Sequence, residues 1–270
     1  MSSLDDTITK QQYLTPSRYI SGRIVEYDIK SANISVLRNS NIISQKDYDY
    51  LASLPKILRE REIGIREKNN PELYTQIQKG IKEAKKNLGS FNRIELDQII
   101  RIANDAVYIN SEVDLKYTQF GKYIQFKKKS EYNVFCNLLG VIIFCKFLED
   151  GNIHVDVKGI GKNASLHENY MIYTIMSTIT ILERSSVEDA IQYLSSICEQ
   201  YLHRNLPVGY YREFNSGSLY RSLYNSYGVV PYGFINATEY DKNSIDINYN
   251  YTILRELWSI LVEIYSIRRR

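Results

Sequence analysis

Apolar and polar positions along this chain follow two periods, one of two residues and one of 3.6. "GRIVEYDI" (Gly22–Ile29) alternates and carries a β-branched pair, which predicts a strand. "SANISVLRNS" then reads as a short helix. "SQKDYDYLASLP" predicts a second helix with Ser44 at its N-cap and Asp47 three residues on, ended by Pro55. In "NNPELYTQIQKGIKEAKKNL" the apolar positions Leu73, Ile77, Ile81, Ala84 and Leu88 form one stripe at helical spacing. Asn70 caps that helix and Pro71 occupies its first turn.

The period then shortens. "LDQIIRIANDAVYINSEV" (Leu96–Val113) predicts two strands around a tight turn at Ala103–Asn104–Asp105. "YTQFGKYIQFKKKSEYNVF" predicts a hairpin turning near Gly121–Lys122. "YNVFCNLLGVIIFCKFLED" is apolar nearly all round and reads as a buried helix or a helix plus a strand. "NIHVDVKGIG" reads as a short strand ending at Gly159–Gly161. The remaining third is helical: "LHENYMIYTIMSTITILE", then "SSVEDAIQYLSSICEQYLHR" with a capping box of Ser185 and Glu188, then "YTILRELWSILVEIYSIRRR". The order predicts an α+β protein. An antiparallel sheet flanked by helices occupies residues 22–165 after a loosely ordered lead over 1–21, and a mostly helical region follows over 166–270.

Composition narrows the function classes. The 270 residues are 44% apolar and 24% charged, which suits a globular protein with a real core. A net charge of +3 leaves no basic tail, so any nucleic-acid binding rests on local patches. The polar N-terminus reads as carrying no signal peptide. The longest apolar run, Val141–Leu148, is too short to span a membrane and contains Lys146. An intracellular, cytoplasmic protein is expected. Cys136, Cys145 and Cys198 are spread through apolar segments and read as buried small hydrophobes in a reducing compartment. His154, His167 and His203 lack metal-ligand spacing, which argues against zinc. Tyrosine is the outlier, with 24 residues against one Trp. AT-rich coding accounts for much of it, and stacking on bases in a wet groove is the functional reading.

Two isolated carboxylates share one setting. Asp28 ends the strand "RIVEYD", and Asp105 sits in the turn of "IIRIANDAVYI". If the strands are neighbours, the two acids face one another at one edge of the sheet. Two such carboxylates repel, and a divalent cation resolves the repulsion. Hard oxygen ligands suit Mg²⁺ or Mn²⁺. The plainer reading takes Asp28 as a helix cap and Asp105 as a turn residue.

These residues carry a resemblance. "DIKSANIS" (Asp28–Ser35) resembles motif A of family B DNA polymerases, DxxSLYPS, with Asp28, Ser31 and Ser35 on its first, fourth and eighth places. "ANDAVYI" (Ala103–Ile109) resembles motif C, DTDSVFV, with Asp105 on the second acid. "KILREREIG" (Lys56–Gly64) has the length of KxxxNSxYG with Lys and Gly at its ends. "KKKSEY" (Lys127–Tyr132) is similar to the KKxY element that holds the primer strand, and "VDVKGI" (Val155–Ile160) is like the strand that often follows it. The order A, B, C, KxY, helical thumb is kept over about residues 22–165 and beyond. There are departures. Ala103 stands at the first acid of motif C; Glu60, Arg61 and Ile63 replace the Asn, Ser and Tyr of motif B; Asn33 replaces the tyrosine that packs under the sugar.

The resemblance implies a minimal palm with reduced fingers at about 40–90 and a thumb-like C-terminal region, and its compactness suits a bacteriophage origin. It implies a template-directed nucleotidyltransferase in which Asp28 and Asp105 hold two Mg²⁺ or Mn²⁺ ions. Lys56 and Arg59 would neutralise the triphosphate, and the amides of Ser31, Ala32 and Asn33 would touch phosphate at a helix start. Lys127, Lys128, Tyr132 and Lys158 would track the nucleic-acid backbone. Tyr211 and Arg212, in the Arg- and Tyr-interleaved stretch Tyr210–Gly228, suit a single-strand groove. The resemblance implies primer–template nucleic acid and nucleoside triphosphates as partners, leaves room for other polymerase or replication subunits, and implies no membrane. Each patch also has a plainer reading. "KILREREIG" can be a solvated helix face held by i, i+4 pairs, "KKKSEY" an exposed hairpin end, and Tyr210–Gly228 a packed loop. Two other classes remain open: a non-catalytic nucleic-acid-binding or assembly protein on a polymerase-derived scaffold, and another Mg²⁺-dependent phosphotransfer enzyme such as a nucleotidyl cyclase. No Gly-rich P-loop is present in the sequence.

Overall fold

The structure is a computed structural model and describes residues 12–13, 15–160, 170–211 and 248–268. It is an α+β fold with antiparallel strands flanked by helices and a mostly helical C-terminal region. The chain forms two compact units that exchange within one long strand, between Asn133 and Val134; the short segment Arg18–Ser21 belongs to the second unit.

The first unit contains strands β1 (Gln12–Tyr13), β2 (Tyr19–Ile29, from Gly22 on), β3 (Ile99–Ile102), β4 (Ala106–Asn110), β5 (Gln119–Phe120) and the first part of β6 (Ile124–Leu138). Their order is β1-β3-β4-β2-β6, with β5 paired to β6. Four helices intervene between β2 and β3: α1 (Ala32–Asn39), α2 (Gln45–Ser53), α3 (Lys56–Asn69) and α4 (Pro71–Asn92).

Local chemistry explains these boundaries. The Ser44 hydroxyl accepts the Asp47 amide at 3.1 Å, and the Asn70 side chain accepts the Glu72 amide at 3.2 Å, each satisfying a donor that a helix start leaves open. The α4 stripe is buried as its period predicts, with Leu73, Ile77, Ile81, Ala84 and Leu88 all in the core. Each of the Leu and Ile side chains contributes about 1.5–3 kcal/mol of burial. The stripe packs with Val36 and Leu37 of α1, Ile99 and Ile102 of β3, and Val107 and Ile109 of β4. Gly80 is required where α4 meets α1, because a Cβ there would lie 2.2 Å from Val36 Cγ1.

The second unit contains the end of β6, then β7 (Val141–Phe147), β8 (Ile153–Lys158), α5 (Tyr170–Arg184), α6 (Val187–Leu202), a 3-10 turn at Val208–Tyr211, and α7 (Asn248–Arg268). Its core joins the inner faces of β6 and β7 to Ile175 and Ile179 of α5, Leu194 of α6 and Leu257 and Leu261 of α7. Cys136 and Cys145 are buried free thiols in this core, and Cys198 is partly buried. Burial pushes the Cys198 thiol up to about 11. Among the described residues no helix is long and apolar enough to cross a membrane.

Two expectations are corrected. Tyr132–Asp150 holds no helix; it is the hairpin β6–β7, paired from Val134↔Cys145 to Leu138↔Val141. Strands buried on both faces lose the polar alternation that identifies them, and the run then mimics a buried helix. The two turn residues, Leu139 (φ 53°) and Gly140 (φ 91°), take the left-handed conformations of a two-residue hairpin loop. The cap of α6 is Ser186, which accepts the Asp189 amide at 3.0 Å; Ser185 instead donates to the Asp189 carboxylate. Two S-x-x-acid patterns overlap here, one residue apart, and the second sets the helix start.

Candidate active site

Asp28 and Asp105 come from neighbouring strands. In the antiparallel register of β2 and β4, Asp28 lies opposite Ala106, the residue after Asp105. The Ile29 amide donates to the Asp105 carbonyl at 3.0 Å, tying the two acid-bearing segments together. Both aspartates line one cleft of about 200 Å³. That is several times the ~30 Å³ share of one water, so a hydrated cation fits.

Beyond Asp28 the chain turns sharply into α1. Ser31 is its N-cap, in the left-handed region at φ 49°, and its side chain makes no capping bond. Asp28 is therefore not the cap of this helix. The Ser35 hydroxyl donates to the Lys30 carbonyl at 2.8 Å and the Ser35 amide to the Ser31 carbonyl at 3.1 Å, which fixes the turn. Ser31, Ala32 and Asn33 consequently line the cleft at the start of α1. Lys56, Arg59, Glu60 and Ile63, from the first two turns of α3, form another wall. Lys56 is exposed and pairs with Glu60 at 3.7 Å, while Arg59 makes no ion pair among the described residues.

The electrostatics of the pair are asymmetric. Burial and the nearby Asp105 charge raise the Asp28 carboxyl above the ordinary carboxylate range, and Lys129 opposes them. Lys129 Nζ lies 3.4 Å from Asp28 Oδ2 and 2.9 Å from Glu26 Oε1. Asp28 Oδ1 is buried and has no hydrogen-bond partner among the described residues. On the other side, Lys85 of α4 is buried and donates to the Ala103 and Asn104 carbonyls, both at 3.0 Å. It clamps the turn that carries Asp105. Burial lowers the Lys85 ammonium to about 8, against the pull of Asp105.

Two carboxylates, one with an orphaned buried oxygen, in a cleft with room for water, form a donor set that a hard divalent cation fits. Among the described residues no group of three or more His, Cys, Asp or Glu side chains is arranged to hold a metal ion. A cation here would rest on Asp28 and Asp105 and complete its shell with water or phosphate oxygen, as Mg²⁺ commonly does.

The remaining predicted residues separate. Lys127 is exposed on β6. Lys128 pairs with Glu131 at 2.5 Å and Asp114 at 3.4 Å, in a surface network shared with Arg23. Tyr132 is buried, its hydroxyl 3.5 Å from Glu26. In the second unit Lys158 pairs with Asp156 at 2.6 Å. Tyr211 is buried there, stacked on Tyr201 at 4.6 Å and donating to its carbonyl. Arg212 and the rest of the interleaved stretch lie outside the described residues.

Four cleft or near-cleft residues escaped the sequence reading of the site: Glu26, Glu60, Lys85 and Lys129. Two of them carried a usable signal. Lys85 falls on the α4 stripe, four residues after Ile81 and three before Leu88, where a lysine needs a partner. Glu26 lies two residues before Asp28, hence on the same face of the strand.

A search of curated proteins finds no match to this chain. A protein-family model does match, over residues 7–263, and thus across almost the whole length in which the paired aspartates and both units lie. On that match the chain belongs to the phage family described as Bacteriophage PBS1 gene 130 protein.

Proposed function

We propose that this chain is a template-directed nucleotidyltransferase of DNA polymerase type that uses divalent ions held by Asp28 and Asp105. The observation that carries the reading is convergence. Asp28, Ser31, Ala32, Asn33, Lys56, Arg59 and Asp105, picked from three separated segments, line a single cleft. Bound Mg²⁺ or Mn²⁺ supplies a lowered pKa at a primer 3′-hydroxyl and neutralises charge on the triphosphate and the leaving pyrophosphate. The chain's own residues do the rest. Arg59 and Lys56 neutralise phosphate oxygens, and the uncapped first turn of α1 offers amides to them. Lys127 meets the nucleic-acid backbone. Asn33, smaller than the tyrosine at that place in family B DNA polymerases, weakens the case for selecting deoxynucleotides over ribonucleotides.

A second reading, a non-catalytic nucleic-acid-binding or assembly protein on this scaffold, draws on other observations. Lys129 already neutralises part of Asp28, and Glu60 offsets Lys56. Primer extension with Mg²⁺ or Mn²⁺ separates the two. The proposal expects incorporation by the wild type and at least a hundredfold loss in Asp28→Asn and in Asp105→Asn. Nucleic-acid binding without incorporation supports the second reading, and incorporation unaffected by both substitutions overturns the mechanism.

A further inference from the structure

Lys129 is a cation already seated at the acid pair. It reaches Glu26 at 2.9 Å and Asp28 at 3.4 Å from the adjacent strand β6. Its two partners differ in kind. Glu26 is 3% exposed, and its carboxylate also meets the hydroxyls of Tyr132, at 3.5 Å, and Tyr108. Asp28 is one-quarter exposed and lines the cleft. Lys129 itself is 56% exposed, so its flexible stem can shift without unpacking a core.

We infer that Lys129 is the resident counter-cation of this site, sharing Asp28 with an incoming divalent ion and retreating onto Glu26 when that ion binds. The inference rests on the reading that Asp28 and Asp105 hold such an ion, and deepens it into regulation. With Lys129 in place the nucleotide-free protein holds the ion weakly. A phosphate-bearing ligand at Arg59 and Lys56 completes the ion's oxygen shell and tightens it, so metal and triphosphate occupy the cleft together. Glu26 thus acts as a buried anchor that keeps the displaced ammonium paired. Without it, Lys129 would lean wholly on Asp28.

The test is Mn²⁺ binding by isothermal titration calorimetry, with the Mn²⁺-induced shift in melting temperature as a second readout. A unit charge roughly 5 Å from a divalent ion changes binding by more than tenfold even in a water-like dielectric. Lys129→Met is therefore expected to bind Mn²⁺ at least tenfold more tightly than wild type and to gain more thermal stabilisation from it. Glu26→Gln is expected to bind more weakly than wild type. Lys129→Met leaves Glu26 buried without its counter-cation, so the Glu26→Gln/Lys129→Met double variant guards against misfolding; it should bind at least tenfold more tightly than Glu26→Gln alone. Equal or weaker affinity on removing Lys129 in both backgrounds overturns the inference while leaving the metal site standing, provided Asp28→Asn and Asp105→Asn abolish binding. Absence of Mn²⁺ binding in every variant, or binding that survives those two substitutions, overturns the metal reading itself and this inference with it.

Discussion

Replacing Lys85 by methionine tests how the Asp105 turn is held. The substitution keeps an unbranched stem in the core and removes the ammonium that donates to the Ala103 and Asn104 carbonyls at 3.0 Å each. Two opposing effects follow. The lowering of Lys85 from 10.5 to about 8 by burial corresponds to roughly 3 kcal/mol spent keeping that charge inside at neutral pH. Hydrogen bonds from a charged donor return about 1.5–3 kcal/mol each. At pH 7 the two bonds together offset that cost or exceed it, and Lys85→Met is expected to lower global stability by about 0–3 kcal/mol. The pH dependence is more telling. Between about 8 and 10.5 the unfolded chain carries a proton that the folded chain has shed at Lys85, so raising the pH favours the folded state. From pH 8 to 9.5 the wild type should gain roughly 1.5 kcal/mol relative to Lys85→Met. The comparison must be between the two proteins. The buried thiols, raised by burial as Cys198 is to about 11, titrate in the opposite sense and are common to both. Urea unfolding at three or four pH values measures the difference. Hydrogen exchange at the Ile29 and Ala103 amides, which donate to the Asp105 and Ala106 carbonyls, reports the turn directly and should accelerate at least tenfold in the variant. A stability difference independent of pH, with unchanged exchange at both amides, would refute the clamp.

Two further outcomes follow from the same geometry. Asp28→Asn should stabilise the metal-free protein by about 1 kcal/mol, because it removes a partly buried charge repelled by Asp105 while Lys129 keeps Glu26; a loss of stability in urea unfolding contradicts this. Gly80→Ala should destabilise by about 1–3 kcal/mol, since its Cβ would lie 2.2 Å from Cγ1 of the fully buried, β-branched Val36, and adding Val36→Ala should restore much of the loss.

Sequence legibility divides by the range of the interaction. Elements governed by neighbours a few residues apart were readable: the Ser44 and Asn70 caps, the α4 stripe, the hairpin turn that carries Asp105. The β6–β7 hairpin was not, because its central residues face apolar neighbours on both sides and its Leu139–Gly140 turn lacks the Asn-Gly or Asp-Gly signal. The paired setting of Asp28 and Asp105 was readable because each acid terminates or links a strongly apolar strand. The cations that govern that pair were not. Lys129 meets Glu26 across 103 residues, and Lys85 meets the Asp105 turn from a helix whose period was read only for its apolar members.

That division bears on what the cleft does. The acid pair is readable from short motifs because its residues sit at strand ends, where backbone geometry brings them together. Its charge balance is set elsewhere, by Lys129 against Glu26 on one side and Lys85 beneath the turn on the other. Motif comparison passes over Lys85, and within KKKSEY it singles out Lys127 and Lys128 rather than Lys129. A relative that keeps Asp28 and Asp105 but lacks the lysine at position 129 would bind a divalent ion more tightly before any phosphate arrives, and one that lacks the lysine at position 85 would hold the second acid loosely. The two lysines hold the acids in different ways: Lys129 pairs directly with Asp28, and Lys85 holds the backbone of the turn that carries Asp105. On the proposed metal reading, the two aspartates would set where an ion sits, and Lys129 would set how tightly it stays.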